Sequence, residues 1–139
     1  MVIDLIKRYG LAKNDLQKLN EALKNVEYKR PKDLTDQELA MVIEKFGYSV
    51  DTFWKYLRDY KNTLGVKVEV NDPADVFTEC FSAALINKEE FDILMNMLND
   101  YSSIDKTAAD ILLRQEMYSR ILTYYQIMKT IVDRQPAFE

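Results

Sequence analysis

The sequence predicts an all-α protein, a helical bundle of about five helices in a single domain that covers residues 1–139. Between Thr35 and Leu64, the large apolar residues recur at intervals of one, three and four positions, which is the period of an amphipathic helix. Residues that cap helix N-termini precede several segments with the same period. The chain also contains only three Gly and three Pro, so few positions interrupt a helix.

The segment from Thr35 to Leu64 predicts the central helix of the bundle. Thr35 and Glu38 have the spacing of a capping box, in which each side chain bonds the backbone N–H of the other residue. Gly65 is expected to end the helix. One apolar stripe along so long a helix requires partner helices. The stripe consists of Leu39, Val42, Ile43, Phe46, Val50, Phe53, Trp54, Leu57, Tyr60 and Leu64.

Two helices are predicted before the central one. Residues 2–9 form a short leading helix that ends at Gly10, and a longer helix covers about Leu11 to Tyr28. Residues 29–33 are expected to form a polar turn, because Pro31 disfavours a helical conformation at the residue before it.

Two short helices are predicted after the central one. Residues 66–70 alternate apolar and charged side chains but have no second strand to pair with, so they predict an extended connector. Asp72 caps the next helix, with Pro73 at its first position. Asn87 and Glu90 form a second box-like cap.

A turn at residues 100–105 is expected to precede the last helix, which runs from about Lys106 to Arg134 and ends before Pro136. The central and last helices would form a long antiparallel pair, flanked by the first helix and the two short ones. The predicted apolar stripe of the last helix is Ile111, Tyr118, Ile121, Leu122, Tyr125, Met128 and Val132.

Composition excludes several classes of function. The net charge of −4 argues against a nucleic-acid scaffold, so no DNA is expected as a partner. A single cysteine, Cys80, permits no internal disulfide and favours a cytoplasmic location. No signal peptide and no apolar run of membrane-spanning length is apparent, so no membrane association is expected. The chain has no histidine, which excludes Ser–His–Asp and Cys–His catalysis.

Individual residues suggest no catalytic or metal site. Cys80 lies on an apolar face without an activating base, and the carboxylates have the spacing of helix surfaces and caps. We therefore expect no metal and no cofactor. The chain has nine tyrosines, and Tyr118, Tyr124 and Tyr125 are typical of core or interface positions.

Two stretches together resemble a known family. Residues 45–60, KFGYSVDTFWKYLRDY, resemble a segment of the nucleotidyltransferase substrate-binding proteins, which are small helical partners of minimal nucleotidyltransferases in the HEPN superfamily. Residues 72–100 resemble the family's next conserved segment, and residues from about 11 to 134 follow its pattern in order. Gly47 stands where the family usually has Glu. The matching residues of the two segments are Lys45, Phe46, Tyr48, Ser49, Asp51, Trp54, Lys55, Leu57, Asp59 and Tyr60, followed by Pro73, Val76, Phe81, Leu85, Ile86, Glu90, Met97, Leu98 and Asp100.

The chain departs from the family at the residues that follow. The family normally reads Arg-Asn-x-x-Ser-His-x-Tyr there, where Arg and His form the ribonuclease motif of active HEPN proteins. This chain has Tyr101, Lys106 and Ala108 at the Arg, His and Tyr positions. A lysine is mostly protonated at pH 7 and does not replace histidine as a general base. The resemblance therefore implies a retained bundle without catalytic activity, that is, not an enzyme.

The resemblance implies a HEPN-like up-and-down bundle, a homodimer and a separately encoded minimal nucleotidyltransferase as partner, in a toxin–antitoxin-like pair. This chain would be a non-catalytic subunit that binds nucleotide or substrate in a groove. Lys55 and Lys106 would contact phosphate, and Tyr101 would stack on a base. Two alternatives remain open: a plain dimerising adaptor without ligand, and a residual HEPN ribonuclease. The expected groove residues are Tyr48, Asp51, Trp54, Lys55, Asp100, Tyr101 and Lys106.

Overall fold

A computed structural model of the protein describes residues 2–64, 72–107 and 109–134, with side chains from Asp4 onward. Within these ranges the chain forms six α-helices and a short 3-10 helix, and no strand. The prediction of an all-α helical bundle is therefore confirmed. The elements are α1 (Val2–Val26), the 3-10 helix (Pro31–Asp33), α2 (Asp36–Thr63), α3 (Pro73–Ser82), α4 (Lys88–Ser102), α5 (Ile104–Thr107) and α6 (Ile111–Asp133).

Helices α1 and α2 form a long antiparallel pair. Near one end of the pair, Arg8 Nε lies 3.0 Å from Asp59 Oδ2. In the middle, the buried Ser49 hydroxyl donates a hydrogen bond of 3.0 Å to the backbone carbonyl of Asp15. Residues later in α1 thus contact residues earlier in α2, so the two helices run in opposite directions.

Helix α6 runs parallel to α2, which corrects the prediction that these two helices form the antiparallel pair. The Arg114 guanidinium donates to the backbone carbonyl of Asp36 at 3.3 Å. Ten residues further along each helix, the rings of Phe46 and Tyr124 stack with centroids 5.8 Å apart. The parallel direction follows because α3 and α4 intervene and α4 returns the chain to the other end of the bundle.

Helix α4 packs against α6 in the antiparallel direction, with Asp100 paired to Arg120 and Glu90 paired to Arg134. Helices α1 and α4 lie on either side of the α2–α6 pair. In chain order, the four long helices α1, α2, α4 and α6 alternate in direction. Helix α3 covers the second half of α2.

Among the described residues, α2 contributes the largest share of the buried apolar side chains, as the predicted central position of this helix requires. Phe46, Val50, Phe53 and Leu57 are fully buried. Tyr60 is half-buried and Leu64 is exposed, so the predicted apolar stripe is not buried at its C-terminal end. The apolar period of the sequence does not predict the burial of Ser49, Tyr56 and Lys61, which are also buried on this helix.

The predicted N-terminal caps are confirmed. Thr35 and Glu38 form a reciprocal capping box on α2, and Asn87 and Glu90 form one on α4. Asp72 caps α3 by accepting a hydrogen bond from the Ala74 backbone N–H. Gly65, residues 66–70 and Pro136 lie outside the described residues.

The predicted break at Gly10 is wrong, because α1 continues through it. Glycine costs a helix about 1 kcal/mol relative to alanine. The buried positions Leu5, Ala12, Leu16 and Leu19 keep one helical face on both sides of Gly10, and their burial outweighs that cost.

The predicted turn at residues 100–105 and the start of the last helix at Lys106 are also corrected. Helix α4 extends to Ser102, the short α5 follows, and α6 begins at Ile111. The Ser102 and Ser103 hydroxyls donate to the carbonyl of Asn99, so these polar side chains are satisfied at the helix end. Asp110 provides the cap of α6 by accepting from the N–H groups of Leu112 and Leu113.

The predicted stripe of α6 is buried at Ile121, Tyr125, Met128 and Val132, and Tyr118 is half-buried. Ile111 and Leu122 of that stripe are instead exposed. None of the described helices combines the length and the apolar character needed to cross a membrane.

Candidate functional site

One face of α2 carries three of the predicted groove residues, because Tyr48, Asp51 and Lys55 are spaced by three and four positions. Tyr48 is 55% exposed. The Lys55 ammonium lies 3.0 Å from the Asp51 carboxylate, one turn earlier on the helix. The face therefore presents an aromatic ring and an ion pair to solvent.

The end of α4 lies beside this face. Burial raises the pKa of Tyr101, and the negative charge of Asp51 raises it further. One turn along the chain, Ile104 approaches Gly47 so closely that a Cβ at Gly47 would lie 3.5 Å from Ile104 Cδ1. We refer to Tyr48, Asp51, Lys55 and Tyr101 as the α2–α4 surface. The fold brings these four predicted residues together.

Trp54 is buried in the core, with 8% of its surface exposed. The Arg58 guanidinium lies 5.4 Å from its ring centroid and the Lys55 ammonium 5.9 Å from it. The two cations thus lie over the indole ring, and Trp54 itself belongs to the core of the bundle.

Asp100 is also buried, on the side of α4 that faces α6. Arg120 Nε and Nη2 donate to its two carboxylate oxygens at 2.7 and 2.8 Å. The Tyr124 hydroxyl donates to Asp100 Oδ2 at 2.7 Å. We refer to these three residues as the Asp100 cluster.

The Asp100 cluster perturbs both of its donors. Burial raises the pKa of Tyr124 to about 12, and the hydrogen bond to Asp100 adds to this increase. The hydrogen bond to Asp100 likewise raises the pKa of the Arg120 guanidinium above its ordinary value. The Asp100 carboxylate is thus held by two donors on α6, and the cluster joins α4 to α6.

Lys106 lies on α5 and is exposed. The next residue, Thr107, is buried, and its hydroxyl donates to the Ile104 carbonyl. Helix α5 contacts both α4 and α6, so Lys106 projects from the same end of the bundle as Tyr101.

The pairing of Arg120 with Asp100 is not among the predictions made from the sequence. Arg120 and Tyr124 are one turn apart on α6, which is a signal that they share a face. Nothing in the sequence connects that face with a carboxylate on another helix.

The α2–α4 surface offers an ammonium, a carboxylate and two phenols within two adjacent helices. An ammonium binds phosphate oxygens as a point charge, and a phenol ring stacks on a base. In the part of the chain that the structure describes, no group of three or more His, Cys, Asp or Glu residues could hold a metal ion.

The sequence matches a protein-family model. A family model described as "Nucleotidyltransferase substrate binding protein like" matches residues 7–135. No curated protein matches the chain.

Proposed function

The chain belongs to the nucleotidyltransferase substrate binding protein-like family, and from this membership we propose that it is a non-catalytic subunit of a two-protein system. It docks a separately encoded minimal nucleotidyltransferase and presents a nucleotide or substrate to it. The catalytic groups for nucleotide transfer belong to the partner, in a pair organised like a toxin–antitoxin system.

The observation that carries this proposal is the α2–α4 surface. Lys55 and Tyr101 come from different helices; Lys55 forms an ion pair with Asp51, and the charge of Asp51 raises the pKa of Tyr101. In the proposed complex, Lys55 contacts a phosphate and Tyr101 stacks on the base, with Tyr48 at the rim and Lys106 reaching from α5.

Trp54 and Asp100 have positioning roles in this proposal. Trp54 is buried and anchors this part of α2 in the core. The Asp100 cluster joins the end of α4 to α6 and thereby fixes the position of Tyr101. Neither side chain needs to touch the ligand.

We further propose that the subunit is a homodimer with the α2–α4 surface close to the two-fold axis. Light scattering of the purified chain during gel filtration measures its mass directly. A mass twice that of the 16.4 kDa chain is expected, and a monomeric mass would remove this part of the proposal.

The first experiment is affinity purification of the tagged protein from its native cells, followed by mass spectrometry. We expect a small nucleotidyltransferase in stoichiometric amount. Recovery of the chain alone from cells that express such an enzyme would contradict the proposed partnership.

The second experiment is a nucleotide titration of the purified complex by calorimetry. The Lys55→Ala/Lys106→Ala variant should bind about tenfold or more weakly, because two charge-assisted contacts to phosphate are lost. Lys18→Ala is the matched control, since Lys18 is exposed on α1, away from the proposed surface, and it should bind normally.

The adaptor alternative predicts a different result in the same samples. A ligand that binds the folded state raises the melting temperature. If saturating nucleotide leaves the melting temperature of both the chain and the complex unchanged, the protein is an adaptor that binds no nucleotide.

A further inference from the structure

A cluster of three charged residues joins α1 to α2. Arg8 of α1 donates from Nε to Asp59 Oδ2 at 3.0 Å, and Arg58 of α2 donates from Nε to Asp59 Oδ1, also at 3.0 Å. Because one carboxylate accepts from both arginines, the two guanidinium groups are held close to each other. We refer to these three residues as the Asp59 cluster.

Each arginine uses only part of its hydrogen-bonding capacity in the Asp59 cluster. A guanidinium has five N–H donors, and the bond from Nε occupies one of them. Among the residues that the structure describes, no other acceptor bonds to Arg8 or Arg58. The Arg8 side chain is 35% exposed and the Arg58 side chain 19%. Both arginines therefore have N–H groups left for an additional acceptor.

The Asp59 cluster carries an excess of positive charge, although the chain as a whole carries −4. It contains one carboxylate for two guanidinium groups. Next to Arg8 on α1, Asp4 and Lys7 add one charge of each sign. The two neighbouring lysines of α2 are each paired with a carboxylate. The remaining positive charge favours an anion as ligand.

Trp54 holds Arg58 in position. The guanidinium carbon of Arg58 lies 5.4 Å from the ring centroid of this buried indole, which is a cation–π distance. Together with the bond to Asp59, this contact restricts the Arg58 side chain before any ligand binds. A restricted side chain loses less conformational entropy on binding, and the donors of a guanidinium form a fork that matches a phosphate group.

The Asp59 cluster lies next to Lys55, the proposed phosphate contact of the α2–α4 surface. Lys55 and Arg58 are three residues apart, which is about 4.5 Å along the axis of α2. The Lys55 ammonium lies 5.9 Å from the same indole centroid as the Arg58 guanidinium. The two cations are therefore neighbours on α2, so one elongated anion can reach both. A chain of linked phosphates is an anion of this shape.

We propose that Arg8 and Arg58 form a phosphate-binding site, which holds the terminal phosphates of a nucleoside triphosphate while Lys55 contacts the phosphate nearest the nucleoside. The site itself depends only on the geometry of the Asp59 cluster. The assignment of its phosphates to a nucleotide rests on the proposed function, in which the base stacks on Tyr101. Arginine binds phosphate through bidentate, charge-assisted hydrogen bonds, so the terminal phosphates would have the stronger contacts.

Calorimetric titration of the full-length protein with pyrophosphate, at low salt and without divalent cations, tests the site directly. Pyrophosphate should bind, and Arg58→Gln should weaken its binding about tenfold or more, because charge-assisted hydrogen bonds are lost. Arg8→Gln is an independent second variant with the same expected loss, and thermal unfolding checks that both variants are folded. Arg30→Gln is the matched control, since Arg30 also pairs with an aspartate, Asp33, but shares it with no second arginine of the described residues.

A comparison of ATP with AMP tests the assignment to a nucleotide. ATP should bind the wild type at least about tenfold more tightly than AMP, because only ATP has phosphates that reach the arginines. Arg58→Gln and Arg8→Gln should each remove most of this difference, and Arg30→Gln should preserve it.

Three outcomes would overturn the inference. Pyrophosphate fails to bind, or the Arg8 and Arg58 variants bind it as tightly as the Arg30 variant does. In the third, these variants leave the preference for ATP over AMP unchanged. Failure of the proposed function looks different: pyrophosphate binds through the two arginines, but neither nucleotide binds. That result would confirm the phosphate site and contradict its nucleotide ligand.

Discussion

The Asp100 cluster and the α2–α4 surface lie at the same end of α4, and Asp100 and Tyr101 are adjacent in sequence. Their surroundings are nevertheless opposite. The Asp100 side chain is 11% exposed and receives three hydrogen bonds from α6. The Asp51 side chain is 41% exposed and has one ion pair within its own helix.

Polar residues thus have two roles in this bundle: some join neighbouring helices, and others are exposed to solvent. Consecutive residues on a helix point about 100° apart, so Asp100 bonds to α6 while Tyr101, the next residue, points in another direction and is only half-buried. The carboxylate that joins two helices is expected to stabilise the fold. The carboxylate on the exposed face contributes little to stability and remains accessible to a ligand.

The largest difference is expected between Asp100→Ala and Asp51→Ala. Asp100→Ala leaves Arg120 and Tyr124 without their acceptor and should lower the free energy of unfolding by about 2–3 kcal/mol. Asp51→Ala should lower it by less than about 0.5 kcal/mol. Urea unfolding followed by circular dichroism measures both values. Equal losses would show that the two regions do not differ as their geometry implies.

A second expected effect concerns Glu90, a carboxylate of the same α4–α6 interface. The Arg134 hydrogen bond lowers the pKa of Glu90 against the opposing effect of burial. Because the folded-state pKa lies below the unfolded value, this stabilisation is present above the unfolded pKa and is lost as pH falls through the folded pKa.

Glu90→Gln keeps the capping-box geometry but removes the charge. Its free energy of unfolding should be about 1 kcal/mol lower than that of the wild type at pH 7, and it should fall less between pH 5 and 3. Part of the acid sensitivity should remain, because Glu38 and Asp133 also have lowered pKa values. The exposed neighbour Glu89 provides the control, Glu89→Gln, whose pH profile should match that of the wild type.

The smallest expected difference is between Tyr124→Phe and Tyr101→Phe. Tyr124→Phe removes one donor to Asp100 and should cost about 1 kcal/mol at pH 8. Tyr101→Phe should cost less than about 0.5 kcal/mol. Urea unfolding at pH 8 compares the two, and a larger cost for Tyr101→Phe would contradict the assignment of the Asp100 cluster to packing.

Tyr124 should also affect how the free energy of unfolding depends on pH in the alkaline range. Tyr124 keeps its proton in the folded state up to a pKa of about 12, whereas a tyrosine in the unfolded chain ionises near pH 10. Its stabilisation is complete below about pH 10 and is lost as pH rises toward 12. Tyr124→Phe should therefore show a smaller loss of stability between pH 9 and 11 than the wild type.

Much of the fold could be predicted from local signals in the sequence. The capping boxes at Thr35 and Asn87 depend on residues three positions apart, and the buried stripe of α2 depends on its helical period. The resemblance of residues 45–60 and 72–100 led to the family that the matching model gives for residues 7–135. The caps and the stripe are local, because each involves residues of one helix; the resemblance depends on the order of residue types along the chain and needs no contact between helices.

The tertiary structure decided what depends on contacts between distant parts of the chain. Gly10 continues α1 because burial on both sides outweighs its local cost. The parallel direction of α2 and α6 follows from contacts such as Phe46 with Tyr124. The division of the predicted groove into a buried Asp100 and an exposed Asp51 depends on which helix packs against each face. Sequence period tells which face of a helix is apolar, but only packing determines which polar residues near its edge meet a partner and which meet solvent.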